Sequence, residues 1–307
     1  MRMRVIDLDG AVVGQAPVQG WLDTVGGDLI CARDLAPRLR LLANRAALRA
    51  LGERLGPAEP NEIYLYGSGD FHHLSLLFIA RLDRPVSIVH FDNHPDWTRW
   101  PRSINCGSWV CRALDLPQVA RVVTIGPCSA DLLSPQVKGA DLAALRAGRL
   151  EVHPLASART FYAGPAFESP GAFATAGTSR AGMRWRGVGE GDWLGRIDAI
   201  TRSLPDAPVW ITLDKDVLGA DEAITNWDQG RLKLDQVHAA VALIAHRRRV
   251  LGMDVCGDYS PDRGSGLVRA LLAYGDRTQR PVPARDPNPI NAGTNLRILR
   301  TMESILQ

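Results

Sequence analysis

The 307-residue chain predicts a three-layer α/β/α sandwich around a mainly parallel central sheet, and three observations predict it. From about residue 61 onward, short apolar runs of strand character alternate with stretches of helical spacing, the pattern that builds βαβ units. Several of these runs stop abruptly in clusters of Gly, Asp and His, and in open parallel sheets ligands bind outside the carboxyl ends of the strands. Hydrophobic residues are 46% of the chain and charged residues 22%, the composition of a globular protein with a large core. A single α/β domain over residues 1–307, with a long loop excursion near 156–195, is the expected organisation.

In chain order, Val5 to Leu8 reads as the first strand. Asp7-Leu8-Asp9-Gly10 is similar to the opening of the phosphatase motif Asp-x-Asp-Gly-Thr of the haloacid dehalogenases, with Ala11 at the threonine position; a charged strand end leading into a turn explains the same residues. Residues 34–55 carry Leu, Ala and Arg at helical spacing, with Asp34 as the cap. Ile63 to Tyr66 is strand-like and stops at Gly67-Ser68-Gly69-Asp70-Phe71-His72-His73, before a helix-like run from Leu74 to Leu82. Val86 to Phe91 and Val122 to Ile125 are the next strands, and residues 141–149 read as helix. Val209 to Leu213 is a strand ending in Asp214-Lys215-Asp216; Leu234 to Ala245 is a helix, and Val250 to Val255 a last strand ending near Asp258. Residues 156–195, rich in Gly, Ser, Ala and Arg, read as a long loop. Pro281 to Gly293 reads as an extended connection to a terminal helix from Leu296 to Leu306.

Composition excludes several classes. A formal charge of +3 is too weak for a nucleic-acid partner. No apolar run is long enough for a membrane span, and Val5-Ile6-Asp7 follows the two N-terminal arginines where a signal peptide would have an apolar core. The five cysteines lack a CxxC pair and read as reduced thiols, which places the chain in the cytoplasm.

The chemistry concentrates at strand ends. In Asp92-Asn93-His94-Pro95-Asp96, alternate residues of an extended segment point the same way, so Asp92, His94 and Asp96 can converge, and Pro95 opposes a helix there. Together with His72 or His73 and with Asp214 and Asp216, they offer four carboxylates and two imidazoles from separate strands. Hard oxygen with some nitrogen suits Mn²⁺ best. Six side chains exceed the needs of one ion that keeps an open position, whereas two ions would use them all and generate hydroxide at neutral pH.

These motifs resemble those of the ureohydrolase (arginase/agmatinase) superfamily. Its Gly-Gly-Asp-His element is similar to Gly67-Ser68-Gly69-Asp70-Phe71-His72-His73, its Asp-Ala-His-x-Asp to Asp92-Asn93-His94-Pro95-Asp96, and its Asp-x-Asp to Asp214-Lys215-Asp216, followed by a Gly-Leu-like Gly230-Arg231-Leu232. The resemblance covers about residues 61–262. It implies an arginase-like fold, Asp92 and Asp214 bridging two ions, His94 and Asp216 holding one, and Asp96 with the first-motif histidine holding the other. It also implies hydrolysis of a guanidino C–N bond to urea and an amine, and homo-oligomers, which are frequent in the superfamily.

The chain departs from that pattern where substrate is chosen. Cys106 stands in place of a proton-shuttling histidine, Gly257 in place of an acid that grips the guanidinium with Asp258 one residue later, and Ile224 to Gln229 in place of a small neutral loop. Asp96, Cys106 and Asp258 are the candidate catalytic residues. Trp97, Trp100, Trp109 and Trp227 flank the motifs, where aromatic rings can stack on a planar cation. The expected substrate is therefore a small guanidino compound such as arginine or an arginine-containing peptide, whose arginine becomes ornithine. The rivals are an amidohydrolase or deacylase on the same donors, and a metal-binding protein of weakened activity.

Overall fold

The computed structural model describes residues 1–100, 102–161, 168–175, 182–261 and 282–306. Eight parallel strands form one sheet: β1 (Arg2–Asp7), β2 (Asp28–Cys31), β3 (Glu62–Leu65), β4 (Val86–Phe91), β5 (Val119–Ile125), β6 (Leu150–His153), β10 (Val209–Asp214) and β11 (Val250–Cys256). Their order across the sheet is β2-β1-β3-β11-β10-β4-β5-β6. The strands β3, β4 and β10 are apolar along most of their length and buried at every residue, as expected of strands covered on both faces.

Two apolar cores confirm the three layers. On one face Ile88 and Val122 pack with the helices α2 (Ala36–Leu39), α3 (Arg45–Leu55), α4 (Ser75–Ala80), α5 (Trp109–Leu114) and α6 (Leu142–Arg146). On the other, Val89, Ile211 and Val255 pack with α1 (Ala16–Val25), α7 (Trp193–Ser203), α8 (Leu234–Arg247) and a C-terminal helix (Asn288–Ile305). The alternation of Ile88 and Val89 between the two cores follows from the period of two along a strand.

Several elements differ from expectation. The predicted helix over 34–55 is broken between Arg40 and Asn44, where Leu41 has a φ of 62°. Its amide reaches the Asp70 carbonyl at 2.9 Å and its carbonyl accepts from the Cys106 amide at 3.3 Å, so long-range bonds outweigh local helix propensity. Asp34 caps nothing and instead pairs with Arg54 at 2.7 Å. The terminal helix starts at Asn288, well before the expected Leu296, because Pro289 is tolerated in a first turn. Within the excursion, β7 (Ala158–Phe161), β9 (Gly182–Trp185) and β8 (Ala172–Thr175) pair antiparallel as a small second sheet, where a loop was expected. Trp185 anchors it: fully buried, it packs 5.8 Å from the ring of Trp97 and donates to Thr160.

None of the five cysteines forms a disulfide. Among the described residues, no helix is long and apolar enough to cross a membrane. The phosphatase-like Asp7 and Asp9 are engaged in ion pairs, with Arg33 at 2.6 Å and with the buried Arg40 at 3.4 Å.

Candidate metal centre

Three chain turns at the carboxyl ends of β3, β4 and β10 build the site. After β3, a 3₁₀ turn (Gly69–Leu74) is started by Ser68, whose hydroxyl accepts from the Asp70 amide at 3.3 Å. Within it His72 faces the centre and the adjacent His73 does not. The His72 Nδ1 lies 2.9 Å from Asp92, 3.3 Å from Asp96 and 3.6 Å from Asp214. Its Nε2 lies 3.0 Å from the Thr212 hydroxyl, and that hydroxyl donates to Asp254 at 2.9 Å. A partner on the far nitrogen orients an imidazole and leaves the near one for the site. His73 is fully buried elsewhere, its ring nitrogens without a hydrogen-bond partner of ordinary geometry; burial pushes it down to about 3, which keeps it neutral. The structure thus separates the two histidines that the motif left equivalent.

The β4 turn converges for a reason other than the one expected. The strand ends at Phe91, and the chain beyond it bends: the His94 amide donates to the Asp92 carboxylate at 2.6 Å, and Asp96 adopts a φ of 49°. Strain of this kind in a non-glycine residue is sustained by its surroundings; here the Trp109 indole donates to Asp96 at 2.7 Å. Convergence of Asp92, His94 and Asp96 is therefore a property of a hydrogen-bonded bend. His94 places Nδ1 3.0 Å from Asp216 and Nε2 2.8 Å from Asp228.

After β10, the Asp214 carboxylate accepts from the Asp216 amide at 3.0 Å and starts a short turn. Asp216 in turn accepts from the Asn93 amide at 3.0 Å, tying the β10 turn to the β4 bend. Close packing surrounds these acids. A Cβ on Gly69 would lie 2.5 Å from Asp214, and one on Gly257, whose φ is 89°, would lie 2.3 Å from it. No side chain fits at position 257 on this backbone.

Among the described residues three donor groups result, His72, His90, Asp92 and Asp96 in one, His72, Asp214 and Cys256 in another, and Asp92, His94 and Asp216 in the third, each with candidate ligand atoms within 4.8 Å of one another. His72 belongs to the first two and Asp92 to the first and third. Burial, reinforced by the charge on Asp92, pushes Asp96 up to about 7 and raises Asp214. Asp216 is raised well above the usual range by burial and by Asp214. Asp92 is held well below that range: burial opposes its charge, but hydrogen bonds from His72, His90 and His94 prevail. Four buried carboxylates with imidazoles as their immediate balance form a site that favours added positive charge, so the residues present fit a divalent-cation centre.

They line a cavity of about 170 Å³. Thr98, Cys106, Gly107 and Trp227 form its walls, and Asp131 and Lys138, an ion pair at 2.8 Å, stand at its edge. Trp227 is held by donating to Asp70 at 3.0 Å.

No protein-family model matches the chain. An uncharacterized protein of Thermotoga maritima is 28% identical over 195 residues, 64% of this chain; the match spans 57% of that protein's own length. Arginase from Bacillus subtilis superposes with a TM-score of 0.57 at 13% identity, covering 98% of both chains. The fold is arginase-like. Formimidoylglutamase from Bacillus subtilis superposes at 0.55 with 14% identity, covering 99% of this chain and 88% of the other. Proclavaminate amidino hydrolase from Streptomyces clavuligerus does so at 0.52 with 17% identity, covering 98% and 92%.

Within this arginase-like fold, His72, Asp92, His94, Asp96, Asp214, Asp216 and Cys106 all line the same cavity. Asp258 is the exception. It is buried behind the β10 turn, paired with Lys215 at 2.6 Å, and is not among the cavity's lining residues; an acid so engaged has no carboxylate to offer a guanidinium in the cavity. Four supporting residues were not read from the sequence: His90, which lies 2.9 Å from Asp92 and 3.0 Å from Thr124, Thr212, Asp228 and Asp254. His90 lies within an apolar strand, and the signal that could have exposed it is its position two residues before Asp92. Thr212 sits inside an apolar run and carried no motif; Asp254 opens the stretch Asp254 to Asp258 that the resemblance matches to the Asp-x-x-Glu setting of the guanidinium-gripping acid, a match that assigns Asp254 no role of its own. Asp254 accepts from Tyr66, Ser75, Thr212 and Trp210.

Proposed function

We propose that the chain is a divergent member of the ureohydrolase superfamily, a hydrolase dependent on two divalent metal ions that cleaves a guanidino or amidino C–N bond. From a guanidino group it releases urea and an amine, acting on arginine or on a larger arginine-containing substrate such as a peptide. The observation that carries this reading is the convergence of four buried carboxylates and two imidazoles on one cavity at the strand carboxyl ends.

His94 and Asp216 would hold one ion, His72 and Asp96 the other, and Asp92 and Asp214 both; Mn²⁺ suits this mixture of carboxylate oxygen and imidazole nitrogen. Bound there, divalent cations would bring the pKa of water toward neutrality and polarise the substrate's C=N group. The protein's own residues do the rest. The Trp227 indole, fixed by Asp70, offers its face to a planar cation. The Asp96 carboxylate, held by Trp109, takes the proton from the attacking water and returns it to the leaving amine. The Cys106 thiol lines the wall beside it.

The larger substrate is supported by what the cavity lacks and by its surroundings. Gly257 leaves no room for a guanidinium-gripping acid, and Asp258 is spent on Lys215. Trp100, two residues from the cavity-lining Thr98, is 65% exposed and available to a bulky substrate.

Metal analysis combined with a urea assay tests the reading. After Mn²⁺ loading, two ions per chain are expected, with urea released from arginine-containing peptides or from arginine, agmatine or guanidinobutyrate. Fewer than one ion per chain sinks it. Amide cleavage without urea would transfer the same donors to an amidohydrolase.

A further inference from the structure

The C-terminal helix (Asn288–Ile305) has an unusual buried face. Its second half buries Ile298, Leu299 and Met302, the expected apolar stripe, but its first half buries Asn291, Thr294 and Asn295. Three polar side chains at i, i+3 and i+4 share one face, and burying them is costly unless each is hydrogen-bonded. They are bonded, and to two segments that carry the site.

Asn295 reaches the β10 turn. Lys215, between Asp214 and Asp216 in sequence, is fully buried and points away from the cavity: its Nζ donates to Asn295 at 2.8 Å and pairs with Asp258 at 2.6 Å. Gln15 donates to Asp258 at 2.7 Å, Asn295 donates to Gln15 at 2.8 Å, and the Asp258 amide donates to the Gly67 carbonyl at 3.0 Å. Asn291 and Thr294 reach the other segment. Asn291 accepts from the Ile224 amide at 2.9 Å and donates to the Ile224 carbonyl at 2.9 Å, while Thr294 donates to the Glu222 carbonyl. That segment continues into Trp227 and into Asp228, the partner of His94.

We propose that Lys215, Asp258 and Asn295 are positioning residues for the metal centre, and that the polar face of the C-terminal helix holds the Asp214–Asp216 turn and the Ile224–Asp228 segment in register. This inference rests on the metal-centre reading above. Lys215, Asp258 and Asn295 are not among the residues that line the cavity. The network keeps one turn at the spacing its two carboxylates need, because the buried Lys215 is held from two sides, by Asn295 and by Asp258. Supporting groups of this kind typically alter metal affinity by about 10–100-fold when removed.

The test is Mn²⁺ titration calorimetry on the full-length chain, with thermal melts of the metal-free protein alongside. Replacing both members of the buried pair, Lys215→Met with Asp258→Leu, leaves no lone buried charge and is compatible with folding. About a tenfold or greater rise in Mn²⁺ Kd is expected, with kcat lowered more than KM is changed and the metal-free melting temperature near that of the parent. Asn291→Leu, which loosens only the Asp228 segment, should weaken Mn²⁺ by a smaller factor and serves if the double variant does not fold. Unchanged Mn²⁺ affinity in a folded double variant, or in Asn291→Leu where the double variant fails to fold, overturns the inference. A parent chain that binds no Mn²⁺ overturns the metal reading instead, so the two failures are distinct.

Discussion

Two buried polar clusters lie close together at the rim of the sheet, and they are balanced differently. Around Arg40, one guanidinium serves two acids, Asp70 at 2.6 Å and Asp9 at 3.4 Å, with the other Asp70 oxygen taken by Trp227. In the cavity, Asp92, Asp96, Asp214 and Asp216 are met by the imidazoles of His72 and His94. Burial raises the acids of both clusters, Asp9 and Asp70 in the first and Asp96, Asp214 and Asp216 in the second; the first is closed by one guanidinium bonded to both of its acids, whereas the acids of the second line a cavity. Four acids gathered on a cavity can accept a positive ion from outside, whereas two acids bonded to a guanidinium away from it cannot, and this difference points to a function for the second cluster.

The largest expected effect separates the clusters by activity. Asp214→Asn should abolish urea release, by ~10³-fold or more if both ions depend on it, while the metal-free protein melts within a few degrees of the parent because one of several repelling acids is gone. Retained turnover would break the assignment. The reverse profile is expected of Arg40→Met, which strands Asp9 and Asp70: a loss of roughly 3–5 kcal/mol of stability in chemical denaturation, with the fold rather than the chemistry as the primary casualty.

A smaller effect probes the support of His72. Thr212→Val removes the hydroxyl at its Nε2 and should weaken Mn²⁺ about 10-fold, read by calorimetry; an unchanged Kd would mean that packing alone orients the ring. Mn²⁺ at about 100 times its Kd should stabilise the parent by about 2.7 kcal/mol, visible as a rise in melting temperature that a chelator reverses.

The smallest effect lies outside both clusters. Burial pushes the Cys111 thiol and the Tyr64 phenol up to about 12. As pH rises past their ordinary values, the unfolded chain releases protons that the folded one retains. The unfolded state then binds fewer protons, so stability falls between roughly pH 9 and 12. At about pH 8 the exposed Cys31 should react with iodoacetamide first, and Cys111 should stay unmodified in the folded protein.

Much of this was legible in the residues themselves. The apolar runs at Val86–Phe91 and Val209–Asp214 read as buried strands because both faces are covered, and their terminal acids read as a site because strand carboxyl ends are where open sheets bind ligands. The three motifs therefore placed six donors on one rim. Residue chemistry also marked Gly257 and Cys106 as departures from the superfamily's pattern.

Other features depended on contacts between residues far apart in sequence. His72 and His73 are neighbours with identical chemistry, and only Thr212, 140 residues on, decides which one faces the acids. Asp258 read as a binding residue because the resemblance puts a guanidinium-gripping acid one position before it, at Gly257, and only Lys215 and the C-terminal helix show it to be spent. The antiparallel sheet of the excursion was hidden because its strands are four residues long and anchored by Trp185 packing on Trp97, a contact with no local signature. Periodicity and strand ends are local and so are written in the chain; the identity of a buried group's partner, which determines whether it binds, supports or merely packs, is settled by the tertiary structure.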